Sequence, residues 1–248
     1  NKVKDNLKAI VLTHIGERLM SPNFGSVGYQ MLFKNYNGAS NIESELIAGI
    51  ENSDKRIIML SRNEPVMHFL LSRRSKPAKT LSAPIPKKDE LLELLSAAAR
   101  TPDHGKLVPW RFIVLNKKKL SRLGTLAESI GAQESIPEEK ILKAKKQLEN
   151  GHLAVAVIEV QKHSEKIPKI EQTYSAGAVC LALLNAALAA GWGANWLTGW
   201  HVYDKEFIKI GLGLKDNESV AGLIYIGTPS ITPPERPRPN LDKIVEWQ

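Results

Sequence analysis

The chain has 248 residues, with 34 Lys and Arg against 26 Asp and Glu for a formal charge of +8, and 43% of its residues are apolar. That balance is ordinary for a globular protein and excludes a disordered or collagen-like chain. The single cysteine, Cys180, excludes an internal disulfide framework and a thiolate metal cluster within one chain, and it suits a reducing cytoplasm.

Val3 to Leu12 has helical periodicity, Ser40 or Asn41 can cap a helix running to Ile50, and Arg56 to Leu60 reads as a short strand. A break at Asn63 to Val66 separates two units, expected at residues 1–62 and 67–248. Beyond it the pattern predicts a helix over Met67 to Arg74, a Pro-punctuated arm (Pro77, Pro84, Pro86) and an amphipathic helix over Lys87 to Arg100. Phe112 to Leu115 is the next strand, Lys118 to Ile130 and Glu138 to Leu148 are helices, and Leu153 to Val160 is a buried strand. A central helix over Ile170 to Ala190 ends at Gly191 as its C-cap. Ala194 to Thr198 and Val220 to Ile226 are strands around a helix at Asp204 to Gly211, and the tail from Thr228 is Pro-rich and extended. Strands separated by helical crossovers imply α/β layers around one sheet.

The longest apolar run, Ser175 to Ala190, is shorter than the ~20 residues that span a bilayer. Its alanines suit a helix packed on all sides inside a soluble core, so no membrane partner is expected. The lysines from Lys140 to Lys146 alternate with Ile141, Leu142 and Leu148 at helical spacing, which reads as a solvated face rather than a nucleic-acid surface. The six histidines are scattered with no paired ligand spacing, so no metal site is expected. Gly211-Leu-Gly213 lacks the third glycine of a dinucleotide fingerprint and follows a helix.

Other constellations carry more chemistry. Arg73-Arg74-Ser75 offers two guanidinium forks and a hydroxyl, a match for phosphate oxygens, although such a triplet also suits a solvated helix end. Arg236-Pro-Arg238 holds two more cations on a stiff segment. Asp103 and His104 place a carboxylate and an imidazole in a tight turn before Pro109-Trp110. Gly191-Trp-Gly193-Ala-Asn-Trp196-Leu-Thr198-Gly199 is a glycine-thinned turn entering a strand, where backbone can approach a flat ring, or where Trp192 and Trp196 simply pack in the core.

In order, Ser72-Arg-Arg-Ser75, Ala99-Arg-Thr-Pro102-Asp-His104-Gly-Lys-Leu-Val-Pro109-Trp-Arg-Phe112, Pro168-Lys-Ile-Glu171-Gln172, Trp196-Leu-Thr-Gly199, Gly222-Leu-Ile-Tyr-Ile-Gly-Thr-Pro229 and Arg236-Pro-Arg238-Pro resemble the flavin-dependent nitroreductase family, in its small single-domain branch, over about residues 67–240. The resemblance implies an α+β fold with a mixed sheet flanked by helices, forming a homodimer with FMN at the interface. It further implies a cytoplasmic NAD(P)H oxidoreductase that reduces nitroaromatic or quinone-type acceptors by ping-pong hydride transfer, with NADPH or NADH as donor and no catalytic side chain beyond the flavin. Arg73, Arg74 and Ser75 would hold the FMN phosphate end with Arg236 and Arg238, and His104 would lie beside the flavin. Trp196, Leu197 and Thr198 would approach the isoalloxazine. Ala186, Ala187, Leu188, Ala189, Ala190 and Gly191 would meet the nicotinamide nucleotide. Val108 departs from the family, standing where relatives place a polar or basic side chain that reaches the flavin.

Val3 to Thr13, Gly16-Glu-Arg18, Pro22-Asn-Phe-Gly25 and Leu32-Phe33 are similar to the lysozyme-like baseplate wedge protein of contractile phage tails and type VI secretion, over residues 3–57. That resemblance implies a partial α/β add-on and a baseplate-type protein partner. The second functional class is therefore a structural assembly protein whose reductase-like part is an inactive scaffold. The retained Arg-Arg-Ser and Arg-Pro-Arg cations favour the enzyme, because a scaffold has no need of them.

Overall fold

The structure, a computed structural model, describes residues 62–248. The elements expected before Arg62, and the baseplate-like resemblance of residues 3–57, lie outside the described residues. The chain divides at His68/Phe69, and the unit Phe69–Gln248 carries the sheet.

Six helices are described, α1 (Glu64–Ser72), α2 (Lys88–Ala98), α3 (Lys117–Gln133), α4 (Glu138–Asn150), α5 (Lys169–Ala189) and α6 (Lys205–Leu212). Five strands accompany them, β1 (Leu81–Ser82), β2 (Trp110–Asn116), β3 (Leu153–Val160), β4 (Gly193–Leu197) and β5 (Glu218–Pro229). Local chemistry sets several boundaries. Asn116 accepts the Lys119 N–H at 2.9 Å to open α3, and Asp204 accepts the Phe207 N–H at 2.7 Å to open α6. Helix α5 stops where Gly191, at φ +86°, turns the chain left-handed. The Trp192 N–H returns to the Ala187 carbonyl at 2.9 Å and the Gly191 N–H to that of Leu188 at 3.1 Å, a Schellman arrangement.

β5 organises the sheet. Its first part pairs with β3, which pairs in turn with β2; Leu223–Gly227 pairs with β4 on the other edge, and Thr228–Pro229 pairs with β1. All four pairings are antiparallel, so the α+β class stands while the sheet expected to be mixed is antiparallel among the described strands. The connections explain this. The α3–α4 hairpin between β2 and β3 reverses the chain, whereas the single helix α5 returns it, so β3 and β4 share a direction and flank β5 rather than each other.

Alternation along the central strands builds two cores. Leu153, Val155 and Val157 of β3 face α2 and α5, with Leu94, Val179, Leu183 and Ile224. Ala154, Ala156 and Ile158 face α3, α4 and α6, with Leu120, Leu148, Phe207 and Tyr225. All eight residues of β3 are buried, which is why its sequence reads as one apolar run.

Two expectations change. Helix α5 has 21 residues and is long and apolar enough to cross a bilayer by length and composition. It packs on α2, β3, β4 and β5 instead. It is also not enclosed on all sides: Val179, Cys180 and Leu183 are fully buried, but Ile170, Tyr174 and Leu181 on the other face are exposed. The second change is β1, two residues too short to leave a periodic signal, within the Pro-punctuated arm. It ties that arm to the end of β5, and so brings the chain before Leu81 close to the chain after Pro229.

Candidate functional site

The pairing of β1 with the end of β5 has a direct consequence for the arginines. Arg73 and Arg74 lie just before β1, Arg236 and Arg238 just after β5, and the two segments meet although some 160 residues separate them. Arg74 Nη1 donates to the Pro234 carbonyl at 2.5 Å and to Glu235 Oε1 at 3.0 Å. Arg238 Nη2 lies 2.9 Å from the same Glu235 oxygen. Arg73 Nη2 donates to Ser75 Oγ at 3.1 Å, and its Nε is buried without a hydrogen-bond partner. Burial first, then the cations of Arg238 and Arg74, lower the Arg73 pKa from its ordinary value.

The structure therefore brings Arg73, Arg74, Ser75 and Arg238 together. Arg236 contributes its backbone N–H, 2.9 Å from Glu235 Oε1, while its side chain is exposed. Glu235, which sequence reasoning passed over, is the carboxylate at the centre of the cluster. Its position directly before Arg-Pro-Arg was the available signal. The Arg236 N–H first, then Arg238 and Arg74, hold its pKa below the usual carboxylate range.

Strand β4 is fastened to the same arm. The Lys76 N–H donates to the Ala194 carbonyl at 2.9 Å, and Asn195 Nδ2 donates to the Lys76 carbonyl at 2.8 Å. The strand then presents Trp196, Leu197 and Thr198 in three different ways. Trp196 packs on the α5 layer, where its indole lies over Gly222 so closely that a Cβ there would stand 2.0 Å from Nε1. Leu197 packs on the opposite layer and lines a cavity of about 610 Å³ with Ala78, Lys79 and residues of α4. Thr198 lies beyond the strand end and is exposed. A flat ring on one face of β4 would meet only one of the Trp196 and Leu197 side chains, with backbone supplying the rest.

His104 and Val108 belong to a separate loop. His104 Nδ1 lies 2.7 Å from Glu171 Oε2 in the first turn of α5, and Ser175 Oγ donates to the Pro102 carbonyl at 3.0 Å. The loop backbone is strained: Lys106 and Val108 adopt φ of +56° and +47°, beside Gly105 at +71°. Such a conformation is unfavourable for a β-branched residue. Val108 is held there by its N–H, which donates to Asp103 Oδ2 at 3.0 Å, and its side chain is exposed. Among the described residues no hydrogen bond or ion pair joins this loop to the arginine cluster. In the segment Ala186–Gly191, Ala187 is fully buried, and Ala189, Ala190 and Gly191 are exposed. Among the described residues no group of three or more His, Cys, Asp or Glu stands together to hold a metal ion.

Comparison with known proteins gives the family and the fold. The sequence profile of the Nitroreductase family matches residues 70–228, which excludes residues 3–57. A Haemophilus influenzae protein with the provisional name NAD(P)H nitroreductase is 34% identical over 161 residues, spanning 64% of this chain and 86% of that one. A nitroreductase-like family protein from Bacillus cereus superposes with a TM-score of 0.63 at 22% identity, covering 76% of this chain and 98% of that one. A Desulfovibrio desulfuricans nitroreductase, provisionally named and solved in complex with FMN, superposes at 0.60 with 18% identity over 75% of this chain and 99% of that one. The two structures share the fold, and the sequence match extends through both halves of the sheet. The chain belongs to the nitroreductase family.

Proposed function

We propose that the protein is an FMN-dependent NAD(P)H oxidoreductase. The observation that carries this reading is the meeting of Arg74 and Arg238, from opposite ends of the domain, on a single carboxylate, with Arg73 beside them bonded to Ser75 and its Nε buried and unpartnered. Three guanidinia against one carboxylate leave an excess of positive charge, which fits a phosphate monoester. The names of the H. influenzae and D. desulfuricans proteins support FMN and NAD(P)H as the specific pair.

In this reading Arg73, Arg74 and Arg238 hold the FMN phosphate, and Ser75 fixes the Arg73 fork. Arg236 lends its cation from the rim. The bonds from Lys76 and Asn195 lock β4 to this phosphate grip, so that Trp196, Leu197 and Thr198 stand at a set distance from it. His104, oriented by Glu171, and Val108 border the ring from their loop. Val108 brings no side-chain hydrogen bond to it, so only its backbone can offer the ring a polar contact there. The exposed Ala189, Ala190 and Gly191 are the part of the Ala186–Gly191 segment that can touch a nicotinamide nucleotide. The chemistry that bound FMN supplies is hydride transfer from NAD(P)H to a nitroaromatic or quinone-type acceptor in a ping-pong cycle.

The open face of α5 supports a homodimer with the flavin at its interface. Ile170, Tyr174 and Leu181 are exposed there, and a Cβ on Gly177 would meet nothing within 4 Å, so a second copy can approach closely. The test is an anaerobic absorbance titration of the FMN-reconstituted protein, with its mass measured by light scattering. A dimer whose flavin bleaches with NADPH or NADH and recovers with a nitroaromatic bears the reading out. A protein that holds no FMN overturns it.

A further inference from the structure

Glu235 occupies the place that the proposed function gives to the cofactor's phosphate. One of its oxygens, Oε1, accepts from Arg74 Nη1 at 3.0 Å and the Arg236 N–H at 2.9 Å, and it pairs with Arg238 Nη2 at 2.9 Å. Arg74 also grips the Pro234 carbonyl, so the carboxylate arrives with its own stretch of backbone. Neither Glu235 oxygen lies in a hydrogen bond or ion pair with Arg73, whose Nε is buried and unpartnered. The carboxylate thus takes Arg74 and Arg238 and leaves Arg73 unmatched.

We propose that Glu235 is a built-in competitor for the anion site: it pairs with Arg74 and Arg238 when no phosphate is present, and it gives them up when the phosphate of FMN enters. This inference rests on the flavin reading of the arginine cluster and extends it to one residue of this chain. The physical basis is a two-anion, one-site problem. A carboxylate carries one charge and is tethered, so it has a high local concentration; a phosphate monoester carries nearly two charges and matches the guanidinium forks. Phosphate wins, at a cost in affinity set by the contacts that Glu235 surrenders. Riboflavin has no phosphate and leaves the latch in place.

Equilibrium titration of the apoprotein, read by quenching of flavin fluorescence, separates the cases with FMN and riboflavin as probes. Glu235→Gln keeps the shape and removes the charge. The expected result is that its Kd for FMN falls by about three- to tenfold, a range that reflects exposed ion pairs, while its affinity for riboflavin is unchanged. An unchanged or weaker FMN affinity in Glu235→Gln overturns the competitor role and makes Glu235 a brace for the arginines. The double variant Arg73→Ala/Arg74→Ala tests the underlying reading separately. If it binds FMN as tightly as the parent, or if the parent binds none, the cluster is not a phosphate site and the inference falls with it.

Discussion

Two arginine–carboxylate arrangements in this domain are built from the same chemistry and serve opposite ends. Arg111 on β2 and Glu218 on β5 form a matched pair. Arg111 Nε and Nη2 donate to the two Glu218 oxygens at 2.7 and 2.9 Å, and the carboxylate side chain is only 5% exposed. The Arg111 hydrogen bonds are the main reason that the Glu218 pKa falls to about 2, and the same contact raises that of Arg111. The second arrangement has Arg74 and Arg238 on one exposed carboxylate with Arg73 left out of the pairing, and there burial and the neighbouring cations lower the pKa of Arg73. A matched, sheltered pair holds two strands together. The unmatched cluster keeps an excess of positive charge, which the proposed function assigns to the FMN phosphate.

Breaking the matched pair has the largest expected effect on stability. Arg111→Ala leaves Glu218 buried without its fork, and a loss of about 3 kcal/mol in a denaturant titration is expected. The pH dependence follows from the same contact. Folded Glu218 has a depressed pKa, so between roughly 4.5 and 2 the unfolded chain binds more protons. Stability is therefore present above pH 4.5 and lost as pH falls toward 2. The variant loses that slope. The unmatched cluster behaves otherwise: Arg73→Ala/Arg74→Ala is expected to weaken FMN binding by about 100-fold with little change in the unfolding midpoint. A large loss of stability in the double variant, or none in Arg111→Ala, would merge the two classes.

How much of this was legible in sequence differs by region. The helices and central strands were, because Leu91, Leu94 and Ala98 repeat at helical spacing and β3 is a bounded apolar run. Strand ends were not. β5 runs to Pro229 rather than Ile226 because β1, invisible to periodicity, pairs with its last residues. The arginines were visible as phosphate-type motifs, but Glu235 was not singled out, since a carboxylate beside two arginines looks like ordinary surface charge until the fold closes on it. The same holds for the way in which Trp196 and Leu197 split between layers. Alternation predicts opposite faces for neighbours, yet which face carries the site depends on pairing with β5.

A buried group that stays neutral sharpens the comparison further. His201 is about 1% exposed, lies between Trp200 and Phe207, and has no partner for either ring nitrogen. Burial pushes its pKa down to about 4. The unfolded chain takes up its proton near pH 6.5, so stability due to neutral burial is intact above that value and falls as pH drops toward 4. At pH 5 the loss is about 2 kcal/mol relative to pH 7. His201→Leu is expected to flatten the stability profile between pH 6.5 and 4 while leaving the lower window of Glu218 in place. A profile unchanged by His201→Leu would mean that water reaches the imidazole.

The smallest effect concerns backbone rather than charge, and it extends the same contrast between groups that stabilise the fold and groups that cost it something. Val108 sits at φ +47° in the loop that presents His104, and a β-branched side chain there is unfavourable by about 1–2 kcal/mol. Asn tolerates this conformation and keeps the backbone N–H that donates to Asp103. Val108→Asn is therefore expected to raise stability by about 1 kcal/mol in a denaturant titration. If the loop borders the flavin, the new amide also offers the ring a polar group, and FMN binding tightens as well. A gain in stability without a change in FMN affinity would assign the strain to the loop alone and place the ring elsewhere; a loss of stability would show that the Val108 side chain packs against something that compensates its backbone.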